Sequence, residues 1–147
     1  MSQSPNFSDQ SNPFAGARRP TSLAGLKVLV AEDQEMVRDL ITILLMREKA
    51  VVTAVRDGAA ALNAVETQVF DVVLMDMNMP VMSGFEATRR IRQSGLASAD
   101  VPILALTANV QKAEIAQCQR AGMDGHIAKP FTSDVLVSAI ANAVAGR

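Results

Sequence analysis

From residue 26 the chain repeats one pattern. A short run with no polar alternation gives way to a longer segment whose apolar residues recur every three or four positions. The short runs are "LKVLVA" (26–31), "AVVTAV" (50–55), "FDVVLM" (70–75), "VPILAL" (101–106) and "GHIA" (125–128). Between them, residues 35–49 carry Val37, Leu40, Ile41, Leu44 and Leu45 at helical spacing, and residues 59–67 carry Ala61, Leu62 and Val65. Further helices are predicted over 84–93, over 111–120 with a stop near Gly122, and over 133–144 with Val135, Leu136, Ala139, Ile140 and Ala143. Strands apolar on both faces and alternating with helices predict an α/β fold: a doubly wound parallel sheet of five strands covered by helices on both sides. The crossovers are expected to be right-handed, which places a ligand site outside the carboxyl ends of the strands.

Residues 1–25, rich in Ser, Asn, Gln, Pro and Gly, bury too little apolar surface to offset ordering entropy and are expected to form a flexible polar tail or linker. The domain is expected over 26–147. At 147 residues, 49% hydrophobic and 20% charged, the chain fits one soluble globular domain, and its net charge of −1 gives no electrostatic basis for nucleic-acid binding. The lone Cys118 lacks a disulfide partner and sits among apolar residues, so packing and a reducing, cytoplasmic compartment are expected. A membrane-spanning stretch and the apolar core of a signal peptide are both missing from the sequence.

Polar residues collect where the strands end. The first strand runs into Glu32 and Asp33, the third into Asp76, the fourth into Thr107, and the fifth is followed by Lys129 and Pro130. Three clustered carboxylates repel one another unless protons or a cation intervene. An oxygen-only set favours a hard ion such as Mg2+. An aspartate can attack a phosphoryl donor to give an acyl phosphate, with the metal and Lys129 neutralising the transferring group and Thr107 hydrogen-bonding one of its oxygens. The glycine patterns of dinucleotide-binding and P-loop proteins are absent. A phosphatase with an aspartate nucleophile, as in the haloacid dehalogenases, is the enzymatic rival. That family places its nucleophile after the first strand with a second Asp two residues on, whereas position 78 here is Asn.

The motifs "VLVAEDQ", "VVLMDMNMPVMSGFEATRRIR", "PILALTAN" and "GMDGHIAKPF" together resemble the receiver domain of two-component response regulators, in the style of hybrid histidine kinases. The resemblance covers residues 26–145 and implies the flavodoxin-like strand order 2-1-3-4-5. It implies that Asp76 is the phosphoacceptor and that Glu32, Asp33, Asp76 and the backbone carbonyl of Asn78 hold Mg2+. It further implies Lys129 as the partner of the phosphoryl group, Thr107 as the switch hydroxyl, and a cis peptide before Pro130. The implied activity is phosphorelay: a partner histidine, on a histidine kinase or a histidine phosphotransfer protein, gives its phosphoryl group to Asp76 and a partner-binding surface switches. Such a protein is no enzyme beyond its own phosphorylation and dephosphorylation. A degenerate receiver acting only as a docking module is the binding-class alternative.

Two positions depart from the family's habit. Glu32 stands where many receivers carry Asp, and His126 occupies the aromatic switch position. As the one histidine of the chain, lying in a predicted strand, His126 is not expected to serve as a phosphodonor. With no room for an ATP-binding or output domain, the chain is expected to be either a stand-alone regulator or a receiver taken from a hybrid kinase.

Overall fold

A computed structural model of the chain describes residues 23–108 and 111–146. Its elements are β1 (Lys27–Ala31), α1 (Glu35–Arg47), β2 (Val51–Val55), α2 (Gly58–Thr67), β3 (Val72–Asp76), α3 (Gly84–Arg92), a 3-10 turn (Ala97–Asp100), β4 (Ile103–Thr107), α4 (Lys112–Ala121), β5 (Gly125–Ala128) and α5 (Ser133–Ala145). The strands form one parallel sheet in the order β2-β1-β3-β4-β5. The expected doubly wound α/β fold and its strand order are both present.

Side-chain alternation along each strand divides the core into two layers. Leu29, Ala31, Val73, Met75, Ile103 and Ala105 pack with Ala61, Ala64 and Val65 of α2, Ala87 and Ile91 of α3, and Cys118 of α4. Val28, Val30, Val72, Leu74, Leu104 and Leu106 face the other way, onto Ile41 and Leu45 of α1 and Leu136, Val137 and Ile140 of α5. β3 and β4 are buried along their whole length, while the edge strand β2 leaves Val51 exposed. The residues that end β3 and β4 are therefore fixed by packing on every side.

The first helix stops two residues short of the expected limit at residue 49. Lys49 takes a left-handed φ of 70°, its N–H bonds to the Met46 carbonyl, and the Ala50 N–H bonds to that of Leu45. This pair of bonds closes the helix and reverses the chain into β2. Residues 1–22 of the expected tail lie outside the described residues. Leu23 is fully buried in the α1–α5 layer, and the Gly25 N–H bonds to the Lys49 carbonyl at 2.9 Å, so packing begins upstream of Leu26.

At the end of the sheet where the strands begin, Arg92 gathers four segments. Its Nε donates to the Gly122 carbonyl at 2.9 Å, and Nη1 donates to the carbonyls of Ala99 and Val101 at 2.8 and 2.7 Å. Nη2 meets Asp124 Oδ2 at 2.8 Å, an oxygen that also accepts the Ile103 N–H. The last turn of α3, the 3-10 turn, the end of α4 and the start of β4 thus share one guanidinium. Arg92→Met keeps the aliphatic stem but strands these acceptors, and is expected to lower stability by about 2–3 kcal/mol. Urea unfolding measures this directly: the midpoint falls and the slope is unchanged.

Candidate functional site

Asp76 is the last residue of β3, with β1 on one side and β4 on the other, and is 6% exposed. The loop beyond it is drawn tight by Gly84, whose N–H donates to the Met77 carbonyl at 3.0 Å. A Cβ on Gly84 would run into the carbonyl oxygen of Asp76. Gly84 is thus demanded by close approach at the start of α3, a stricter reason than a turn preference. Met77, the next residue, is buried with its sulfur 2.9 Å from the thiol of Cys118 on α4. Burial and the nearby Glu114 charge push the Cys118 thiol above its ordinary pKa, which fits the expected packing role.

The other two acids follow β1. The Glu32 N–H bonds to the Val55 carbonyl at 3.1 Å, and the Glu32 side chain is completely buried, while Asp33 is exposed. Arg38, one turn into α1, donates from Nη1 to the Glu32 carbonyl at 2.9 Å and reaches that of Asp33 at 3.5 Å. Carboxylate oxygens of Glu32, Asp33 and Asp76 lie within 4.8 Å of one another. Lys129, after β5, meets Glu32 Oε1 at 2.8 Å and Asp76 Oδ1 at 3.7 Å. The Gln34 N–H takes the second Glu32 oxygen at 3.0 Å.

Thr107, the last residue of β4, is buried, and its carbonyl accepts the Lys129 N–H at 2.7 Å. That bond carries β5's register one residue beyond the strand, and the Lys129–Pro130 peptide is cis, as the family resemblance implied. The Asn78 N–H points to Asp76 Oδ1 at 3.4 Å. Five of the sequence-predicted residues (Glu32, Asp33, Asp76, Thr107, Lys129) therefore meet at one sheet edge, with Asn78 on the adjoining loop. His126 stays apart: it sits opposite Ala105 on β5, two residues before the strand ends, with its side chain exposed. Arg38 and the Gln34 N–H were missed in the sequence, because a basic residue on a first helical turn looks like any other solvated charge.

Crowding leaves its mark on Asp76. Its pKa rises from 3.8 to about 7, first through burial and then through the Glu32 charge; Lys129 opposes this, a hydrogen bond with Asp33 adds to it, and the Asn78 N–H lowers it again. The donor set is all hard oxygen and carries more negative charge than Lys129 cancels, so the residues fit a hard divalent cation of the Mg2+ type.

Comparison with known proteins gives the family. The model of the response regulator receiver domain matches residues 28–141. The chain belongs to the response regulator receiver family. It is 39% identical over 135 residues to histidine kinase 2 of Arabidopsis thaliana, and 37% identical over 116 residues to the sensor histidine kinase RcsC of Salmonella typhimurium. Those matches span 78% and 79% of this chain but only 12% of each kinase. Among solved structures, it superposes on the receiver domain of sensor histidine kinase PA1611 from Pseudomonas aeruginosa, crystallised with a magnesium ion coordinated in its active-site cleft. The TM-score is 0.77 at 36% identity, covering 83% of this chain and 99% of that one. CheY4 of Vibrio cholerae gives 0.77 at 30% identity, covering 82% and 99%. Among the described residues of this receiver, no helix is long and apolar enough to cross a membrane.

The raised pKa of Asp76 has a defined consequence for metal-free protein. Ionising this carboxyl is harder in the fold than in the unfolded chain, so its contribution lowers stability as pH rises from about 4 through about 7, and the loss is complete above that. Asp76→Asn should therefore melt higher than wild type at pH 8 in chelator, with the gap closing as the pH is lowered toward 4. Parallel melting curves across that window would contradict the assignment.

Proposed function

We propose that this receiver takes a phosphoryl group from a histidine of a partner protein onto Asp76, with Mg2+ as cofactor. The observation that carries this reading is the placement of Asp76: a rigid strand tip with two acids beside it and the Lys129 ammonium 3.7 Å from Oδ1. One carboxylate oxygen of Asp76 attacks phosphorus, the P–O bond forms as the P–N bond to the donor imidazole breaks, and the electron pair stays on the departing nitrogen. Glu32, Asp33, Asp76 and the Asn78 carbonyl hold the metal, which when bound supplies positive charge against the transferring oxygens. Lys129 pairs with the phosphoryl group and Thr107 donates its hydroxyl to it. His126 then follows Thr107, remodelling the face formed by α4, β5 and α5. The compartment is cytoplasmic, and the chain acts as a signalling module whose chemistry is limited to its own phosphorylation and dephosphorylation.

The partner is a histidine kinase or a histidine phosphotransfer protein, a reading supported by the relatives and by one helix face. On α1, immediately after the acids, Met36, Leu40 and Ile43 are 85%, 49% and 56% exposed at i, i+4 and i+7, with Met46 exposed beside them. Such a stripe on a soluble surface fits a helical partner.

With Mg2+ and acetyl phosphate, the wild type should acquire label that Asp76→Asn lacks. Label persisting on the variant would sink the phosphoacceptor assignment, and turnover of added phosphomonoesters would favour the phosphatase rival. A docking module would show neither. Ile43→Asp should cut transfer from a phosphorylated protein donor at least tenfold while leaving acetyl phosphate labelling intact, which separates partner docking from chemistry.

A further inference from the structure

Arg38 draws the carbonyls of three consecutive residues, Glu32, Asp33 and Gln34, to itself. Its N–H makes the first bond of α1, to the Gln34 carbonyl at 2.9 Å, and its Nη1 donates to the Glu32 carbonyl at 2.9 Å. The same nitrogen reaches the Asp33 carbonyl at 3.5 Å. Glu32 and Asp33 are two of the clustered acids, and β1 ends at Ala31, before either of them. The N–H groups of this loop are held separately, that of Glu32 by the Val55 carbonyl and that of Gln34 by Glu32 Oε2. Arg38 is what ties down its oxygens.

Charge does not explain this placement. Position 38 lies near the start of α1, where the helix dipole disfavours a cation, and a guanidinium there repels any divalent ion held by the acids. Its bonds do explain it. Where a main-chain carbonyl points decides where the side chain of the same residue sets out. With these carbonyls turned to Arg38, the Glu32 and Asp33 carboxylates are left to converge on Asp76, their oxygens within 4.8 Å of one another. We propose that Arg38 is a positioning residue for the divalent cation: it fixes the backbone of Glu32 and Asp33 so that both carboxylates meet the ion, and this outweighs its own repulsion of that ion. The proposal rests on the metal-dependent reading above and adds a residue that acts through the two acids.

The sign of one measurement separates the two roles. Calorimetric titration with Mg2+, well below the melting temperature of each protein, should show binding weakened about tenfold by Arg38→Met. A residue acting only through its charge requires the reverse, because removing a neighbouring cation tightens a cation site. Tighter or unchanged binding in Arg38→Met therefore overturns the proposal. Arg38→Lys keeps the charge but replaces the planar fork by an ammonium, and should weaken Mg2+ about threefold, where a field effect alone requires no change. Unchanged affinity in that variant also overturns it. Arg92→Met is the control for general loss of stability, since it acts at the opposite end of the sheet. It should leave the Mg2+ Kd within about twofold of wild type. Weakening as large as that of Arg38→Met would mean that affinity merely tracks stability, and the positioning role would fall. Absence of Mg2+ binding by the wild type overturns the metal-dependent reading itself, an outcome distinct from normal binding that ignores Arg38.

Discussion

Repulsion among like charges is the constraint around which this molecule is arranged. A parallel sheet delivers every strand terminus to one edge, and this sequence loads that edge with Glu32, Asp33 and Asp76. The backbone N–H groups of Gln34 and Asn78 relieve the resulting field only locally. Lys129 adds a partial counter-charge, and the pKa of Asp76 still stands raised to about 7 through burial and the Glu32 charge. The site is consequently unstable in an informative direction, because it gains from any cation or any added proton. A surface salt bridge such as Glu86 with Arg89 and Arg90 shows the contrast. Its members are about half exposed and water screens them, so they shape little beyond the local helix face.

Holding such a cluster in place requires a stiff support. β3 and β4 are buried throughout, the Gly84–Asp76 approach leaves no space for a side chain, and the sulfurs of Met77 and Cys118 fill the space behind the strand tip. Polarisable, unbranched thioethers adapt to irregular gaps, which suits a loop whose backbone is set by other demands. Met75, Met77, Met79, Met82 and Met123 all belong to or border that layer.

The sequence announced the sheet clearly because buried parallel strands show no polar alternation, and it announced the edge residues because strand ends map directly onto space. What it hid were relations between distant positions. Glu32 and Lys129 are 97 residues apart, and their pairing depends on side-chain reach that no periodicity encodes. Leu23 stands alone between Thr21 and Ser22 on one side and Ala24 and Gly25 on the other, so a hydrophobic pattern could not claim it for the core. Lys49 ended a helix through a left-handed conformation usually signalled by glycine, and Arg92 looked like an ordinary basic residue of a last turn. His126 was located on its strand by sequence; its exposure had to come from the packing of β5 at the sheet's edge.

The burial of Leu23 also bears on how the domain connects to its surroundings. Each strand runs toward the acidic edge, so β1 begins at the opposite pole, and Leu23 is pinned there in the layer shared by α1 and α5. The last helix runs back antiparallel to the strands and brings Ala143 and Val144 against that same layer. The described chain therefore begins and ends at one pole while the Asp76 carboxyl lies at the other. The acidic edge is thereby left clear of both ends of the described chain, residues 23 and 146.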